Sequence, residues 1–375
     1  GYLDEYGENT DWIEITNTLN SSFNLDNFYL SDQLDDLNKW QFPNYVISPN
    51  EKLVICTSGK SYSKYPSHWE TLVKAEEDWK YSPGSFSISQ DWNTNNFNDQ
   101  SWLLGQGGFG YGDNDDNTII SSNTISIYLR KTFDIQDIND ISHLLLHADY
   151  DDGFVAYLNG TEVMRSNNFN TFFPSFNTTT NNDHEAVLYS GGIPEYKLLS
   201  FDDFSDLLVQ GDNLLAIQVH NSSYTSSDLS SNFFLSAGII SSNTSYQSLP
   251  SWLVPPTVHM HSNFKLSNGE PVIISSMSGN ISDSISIPND LFNGLSYGRL
   301  PDINNNWCYF NTPTPSLSNN NSTCYAGILE KPVINPPSGW YNNLVNVSVD
   351  SSVNTIRYTT NGDIPDENDP IYNSS

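Results

Sequence analysis

The sequence predicts an all-β protein built from several small sandwich or barrel cores. Three observations carry this. Short apolar stretches such as Leu144-Leu145-Leu146 and Leu214-Leu215-Ala216-Ile217 recur between clusters of Asn, Ser, Asp, Gly and Pro, the punctuation of strands and turns. Long apolar patterns at helical spacing are nearly absent. Only 37% of residues are hydrophobic, yet 9 Trp, 21 Tyr and 19 Phe supply bulk for several cores. A chain of 375 residues suits two or three domains.

Charge narrows the function classes. With 44 acidic against 14 basic residues the formal net charge is −30, a field that repels phosphate backbones and so excludes nucleic acid as a partner. It also disfavours docking on anionic lipid. No stretch of 18 apolar residues occurs, so no membrane-spanning helix is expected. Such acidity fits an extracellular or cell-surface protein that holds divalent cations, and solubility alone explains it equally well. No signal peptide is visible, and the chain opens at Gly1 in mid-motif, which implies a segment upstream.

The two ends read as halves of one domain. Asp11-Trp12-Ile13-Glu14-Ile15, Phe28-Tyr29-Leu30-Ser31-Asp32, Lys39-Trp40-Gln41-Phe42-Pro43 and Lys52-Leu53-Val54-Ile55-Cys56 come first. About two hundred residues later follow His261-Ser262-Asn263-Phe264, Pro271-Val272-Ile273-Ile274, Ser296-Tyr297-Gly298-Arg299 and Trp307. Either half alone has too few strands to bury two sheet faces. In this order the segments resemble a lamin-tail domain, an immunoglobulin-like β-sandwich. The resemblance implies a discontinuous domain of residues 1–64 and 257–326.

Residues 66–248 form the expected insertion. Asp91-Trp92, Phe97 to Trp102, Gly108-Phe109-Gly110-Tyr111-Gly112, the run from His147 to Gly160, and Asn213 to His220 resemble galactose-binding-like jelly-roll modules. Independently of that likeness, Phe154, Ala156 and Leu158 alternate with Val155, Tyr157 and Asn159, a period of two that fits a strand with differently used faces. Asn159-Gly160 suits a tight hairpin needing positive φ, and residues 201–209 read as one short helix. Residues 331–375, with Gly339-Trp340-Tyr341 and Val345-Asn346-Val347-Ser348-Val349, resemble the C-terminal Ig-like module of chitobiases and hexosaminidases. That pattern normally continues for a further strand, so the module reads as incomplete. The overall order also resembles the region before the kinase-like domain of bacterial spore-coat CotH-type proteins, although no kinase motif is present.

Of three cysteines, Cys56 lies in an apolar run and reads as a small buried core residue. Cys308 and Cys324 flank a Pro- and Asn-rich stretch and are candidates for a disulfide. Ten Asn-x-Ser/Thr sequons occur, among them Asn159 and Asn221, many of them chance matches in so Asn-rich a chain.

Candidate sites follow from residue chemistry. Gly105 to Gly110 satisfies G-x-G-x-x-G, but acids follow at once and no helix opens, so a glycine-permitted turn explains it better than a nucleotide. Asp113, Asp115 and Asp116 crowd one loop, as calcium ligands or as a solvated turn. Asp149, Asp151 and Asp152 precede an aromatic strand and resemble the sugar- and calcium-binding corner of some adhesin modules; the alternative is a turn capped through backbone N–H groups. The candidate calcium set is therefore Asp113, Asp115, Asp116, Asp151 and Asp152. Trp92, Phe109 and Tyr111 are the candidate faces for sugar rings, with core packing as the alternative. His259 and His261 are closely paired, yet two ligands are too few for structural zinc. No hydrolase or P-loop motif occurs, so no catalytic residue and no organic cofactor are expected. The reading is a non-catalytic, exported, multi-module β protein for adhesion, spacing or attachment to glycans or cell-surface polymers. Two alternatives stay open. One is an accessory region of a larger enzyme; the other is a subunit that self-associates through a sheet edge left open ahead of Asp4.

Overall fold

The computed structural model describes all residues except 63, 113–115, 242, 352–354 and 374–375. The chain is nearly all β, as its composition predicts. One sheet contains, in spatial order, Tyr2–Leu3, Asn9–Thr16, Lys52–Thr57 and Met260–His261. A second contains Ile281–Ser286, Pro271–Ser276, Phe28–Ser31 and Trp40–Gln41. Both sheets join residues from opposite ends of the chain: Ile55 aligns with Met260 in a parallel pair, and Leu30 with Ile274 in an antiparallel one. Ile13, Leu30, Trp40, Phe42, Ile55, Met260 and Phe264 fill the core between them. Full burial of such a side chain contributes about 1.5–3 kcal/mol, so neither end keeps its core alone. The edge expected to be open ahead of Asp4 carries the short strand Tyr2–Leu3, paired with Asn9 and Thr10.

Residues 68–239 build a larger sandwich. Its six-stranded sheet runs Leu103–Gln106, Asp78–Pro83, Ser126–Ile135, Gly211–His220, Gly153–Leu158, Thr161–Arg165. Its four-stranded partner runs Glu195–Ser200, Ile141–Tyr150, Ser231–Ile239, His68–Val73. Phe154, Ala156 and Leu158 face the core between the sheets. Val155 and Tyr157 face outward, yet they too are buried, because Trp92, Phe97 and Trp102 fold over that surface. The Asn159-Gly160 turn has φ of 48° and 96°, as a tight hairpin requires. The helix expected over 201–209 shrinks to Phe201–Phe204, started by a capping box between Ser200 and Asp203. The glycine-rich stretch serves close packing. A Cβ on Gly107 would strike the Ala75 carbonyl, and Gly108 has φ of 87°.

The outer face of the four-stranded sheet is covered rather than solvated. Leu145 and Leu198 pack against Leu253 and Val258, with Tyr6, Tyr65, Trp69 and Trp252 around them. His143 Nε2 meets Tyr6 Oη at 3.0 Å across the same junction.

The hairpin Ser296–Arg299 with Trp307–Phe310 precedes a disulfide between Cys308 and Cys324, whose Cα atoms are 5.6 Å apart. Closing a loop of this size stabilises the fold by roughly 3 kcal/mol in the chain-entropy view. Cys56 is a buried free thiol, and burial pushes it up to about 12. An alkylating thiol reagent should leave all three cysteines of the native chain unmodified without reductant. Rapid labelling of Cys308 or Cys324 would contradict the bridge. Beyond Phe310 no described residue is buried. Val333–Asn335 pairs with Ser348–Asp350, while Trp340 and Leu344 stand fully exposed.

Two sequons are occupied by structure. Asn159 Nδ2 donates to the Leu207 carbonyl and to Asn213 Oδ1, and the fully buried Asn221 donates to Tyr111 Oη and the Thr124 carbonyl. Neither amide is free to carry a glycan in the folded chain.

Candidate metal centre

Strand Ile141–Tyr150 ends at a corner, Asp151-Asp152, and the chain returns as Gly153–Leu158. Asp151 N–H donates to the Ser230 carbonyl at 3.0 Å and Asp152 N–H to the His220 carbonyl at 3.1 Å, which ties the corner to both neighbouring strands. Gly153 is required by close approach: a Cβ would lie 2.5 Å from the Thr180 methyl and 2.9 Å from Ser166 Oγ.

Two carboxylates of the corner build the loop beside it. Asp149 Oδ1 accepts the N–H groups of Val187 and Leu188 at 2.7 and 3.2 Å. Asp152 accepts from His184 N–H at 2.8 Å and Ser222 N–H at 2.6 Å. The backbone is thus pinned on both sides of Glu185. A third segment is held by residues 109 and 111. Tyr111 and Leu229 exchange backbone hydrogen bonds of 3.0 Å, and Ser231 Oγ donates to the Phe109 carbonyl at 2.8 Å. This positions Asp228.

Together these anchors converge three carboxylates. Asp151, Glu185 and Asp228 each bring an oxygen within 4.8 Å of the others. Asp151 is only 4% exposed. Burial, followed by the charges of Asp152, Asp228 and Glu185, pushes its carboxyl up to about 9. Three acids this close repel unless one carries a proton or a cation separates them. Calcium binds oxygens at about 2.4 Å and accepts carbonyl and water oxygens to complete six to eight ligands. The donor set therefore suits a hard divalent cation.

The structure redistributes the residues singled out from sequence. Asp151 stays in the cluster, whereas Asp152 is spent on backbone amides. Asp113 and Asp115 lie outside the described residues. Asp116 packs over Gly110, where a Cβ would strike its carboxylate and the Leu229 carbonyl, and it is not one of the converging three. The sugar platform needs correcting. Trp92, Phe109 and Tyr111 are 7%, 1% and 5% exposed, so none offers a face to a ligand. Phe109 and Tyr111 join the main core, and Trp92 sits under the outer surface of the six-stranded sheet. Glu185 and Asp228 were missed because they lie in polar loops 34 and 77 residues beyond Asp151, and no local spacing ties either of them to it.

His259 and His261 share one buried carboxylate. His259 Nδ1 lies 2.8 Å from Glu5 Oε2, and His261 Nε2 lies 3.3 Å from Oε1. Burial raises the Glu5 pKa, but the hydrogen bonds from His259 and His261 outweigh it and hold the group well below the usual carboxylate range. Tyr2 and Ser58 engage the remaining ring nitrogens. The group fastens the first turn of the chain to residues 259–261.

No protein-family model and no curated protein matches the sequence. Among solved structures the chain is similar to a β-glucuronidase of Bacteroides uniformis, with 12% identity and TM-score 0.30 over 45% of this chain and 18% of that one. It is also similar to a β-glucuronidase of Bifidobacterium dentium complexed with coumarin-3-O-glucuronide, with 16% identity and TM-score 0.27 over 42% and 21%. A third is a glycosyl hydrolase family 2 member of Bacteroides cellulosilyticus, with 16% identity and TM-score 0.28 over 45% and 20%. The matched part spans about a fifth of each of those chains, and likenesses this distant carry no functional argument. No helix among the described residues is long and apolar enough to cross a membrane.

Proposed function

We propose that this chain is a non-catalytic, multi-module β protein that attaches to glycans outside the cell, with a divalent cation, calcium by chemistry, held at Asp151, Glu185 and Asp228. The observation that carries the cation reading is the convergence of three carboxylates from three separately anchored segments, one of them buried. The Cys308–Cys324 bridge supports an oxidising, exported setting. The lamin-tail, galactose-binding-like and chitobiase-like likenesses of the sequence support the multi-module architecture. A melt of the whole chain with calcium and with chelator tests the cation, and an unchanged midpoint would remove it from the account.

In the same reading residues 1–64 and 257–326 form one discontinuous domain, 66–248 an inserted unit, and 331–375 a third module. Expressed alone, residues 66–248 should melt cooperatively as a β protein. Extending the fragment to residue 258 should raise its midpoint, because Leu253 and Val258 re-cover Leu145 and Leu198. A fragment that stays unfolded in both lengths would contradict the inserted unit.

A further inference from the structure

Lys52 stands at the seam between the two ends of the chain. It opens the strand Lys52–Thr57, directly opposite Thr16 in the antiparallel pair with Asn9–Thr16, where Glu14 aligns with Val54. Side chains alternate between faces along a strand, so Lys52, Thr16 and Glu14 share one face. Lys52 Nζ donates to Thr16 Oγ1 at 3.1 Å and lies 3.8 Å from Glu14 Oε1. From the far end of the chain, Asp302 brings Oδ2 to 3.2 Å from the same nitrogen. Among the described residues no other lysine or arginine is in ion-pair contact with two carboxylates.

The loop that carries Asp302 is locked in this position. Asp302 N–H donates to Asn320 Oδ1 at 3.1 Å, and Asp302 Oδ1 accepts the Asn319 N–H at 2.8 Å. Glu14 Oε2 accepts the Ser316 N–H at 2.7 Å, which leaves Oε1 toward Lys52. The side chains of Lys52, Asp302 and Glu14 are only 10%, 13% and 14% exposed. Holding a charged pair out of water is costly, and a neutral product removes that cost. Burial raises the Glu14 carboxyl above its ordinary value, against the Ser316 hydrogen bond and the Lys52 charge. Burial acts on Asp302 too, but hydrogen bonds from Ser318, Asn319 and Lys52 hold it below its ordinary value. The cluster is an ion pair beside an acid that keeps its proton more readily than usual.

We propose that Lys52 and Asp302 condense to an intramolecular isopeptide bond, with Glu14 as the proton relay. One ammonium proton passes to Asp302 Oδ2, leaving an amine against a neutral carboxyl. The Nζ lone pair adds to Cγ, and the Asn319 N–H meets the negative charge that develops on Oδ1. Glu14 gives its proton to Oδ2 and takes one from Nζ. The Cγ–Oδ2 bond then breaks and Oδ2 departs as water, leaving an amide between the two side chains and Glu14 protonated as before. The fold holds both reactants together, which supplies the proximity that such a condensation lacks in solution. The bond joins a strand before residues 66–248 to a segment after them, so the two ends stay linked even when the intervening residues unfold. It depends on neither the cation nor the glycan reading.

The mass of the intact whole chain, with fragment spectra of its proteolytic peptides, provides the test. Expected is a parent lighter than its sequence by one water, beyond the hydrogens lost at Cys308–Cys324. After reduction, the peptide containing Lys52 should be recovered joined to that containing Asp302. Lys52→Arg keeps the cation, but a guanidinium does not give up its proton, so this variant should have its full sequence mass and a native melt. Glu14→Gln keeps an acceptor for the Ser316 N–H but cannot relay a proton, and it too should have its full mass. A parent at full mass overturns the proposal. So does a loss of water that survives Lys52→Arg, because it then arises elsewhere in the chain. A joined peptide that survives Glu14→Gln overturns the role of Glu14.

Discussion

Lowering the pH from 7 to 4.5 should destabilise this protein by several kcal/mol. His143, His147 and His220 are at most 2% exposed, and burial pushes each of them down to about 4 from an ordinary value of 6.5. The hydrogen bond to the Thr178 carbonyl opposes the fall at His220 without cancelling it. The unfolded chain therefore takes up protons first. Stability from these groups is complete above pH 6.5 and drains away as the pH falls toward 4. A displacement of about 2.5 pH units is worth roughly 3 kcal/mol for each ring. Three such rings approach the whole stability of an ordinary domain, about 5–15 kcal/mol. Urea midpoints at pH 7, 5.5 and 4.5 measure the slope. His147→Gln should flatten it, because burial alone depresses this ring, which packs against Trp252 and Tyr196. Midpoints independent of pH over this range would show that the rings are not buried as described.

Replacing Asp151 with Asn should act in opposite directions with and without calcium. In chelator the variant should melt above the parent, because it relieves the repulsion between Asp151 and its neighbours Asp152, Asp228 and Glu185 while preserving side-chain volume. With calcium at about 100 times its dissociation constant the parent gains about 2.7 kcal/mol, whereas the variant gains little. In a chain of 375 residues that gain corresponds to a midpoint shift of about 3–4 °C. Asp152→Asn should behave differently. It leaves the cluster in place but weakens the hold on His184 and Ser222, so it should lower the midpoint with or without the cation. A variant series in which Asp151→Asn destabilises under both conditions would make Asp151 an ordinary structural carboxylate.

The fold class was legible because strand signals are local. Alternation at 154–158, the Asn159-Gly160 turn and the apolar runs at 144–146 and 214–217 each announce themselves within ten residues. What lies over a strand is not local. Nothing in the sequence around Trp92 says that its ring will pack on Tyr128 and Tyr157, so an aromatic that looked available for a ligand is part of a second, outer core. The same limit governs the acids. Asp149 and Asp152 were visible as a cluster with Asp151, yet which of them caps backbone and which faces its own kind depends on where residues 184–188 and 222–231 return. The helix at 201–209 was over-read for a related reason. Leu207 and Leu208 continue a helical pattern, but Gly211 at φ 93° turns the chain into the strand Gly211–His220 almost at once.

The most direct test of the account is calorimetric titration of calcium into the metal-stripped whole chain, repeated for Asp151→Asn and Asp228→Asn. The account predicts saturable binding near one ion per chain in the parent and its loss in both variants, each of which remains folded. Parent-like binding in both variants, or no binding by the parent, would contradict it.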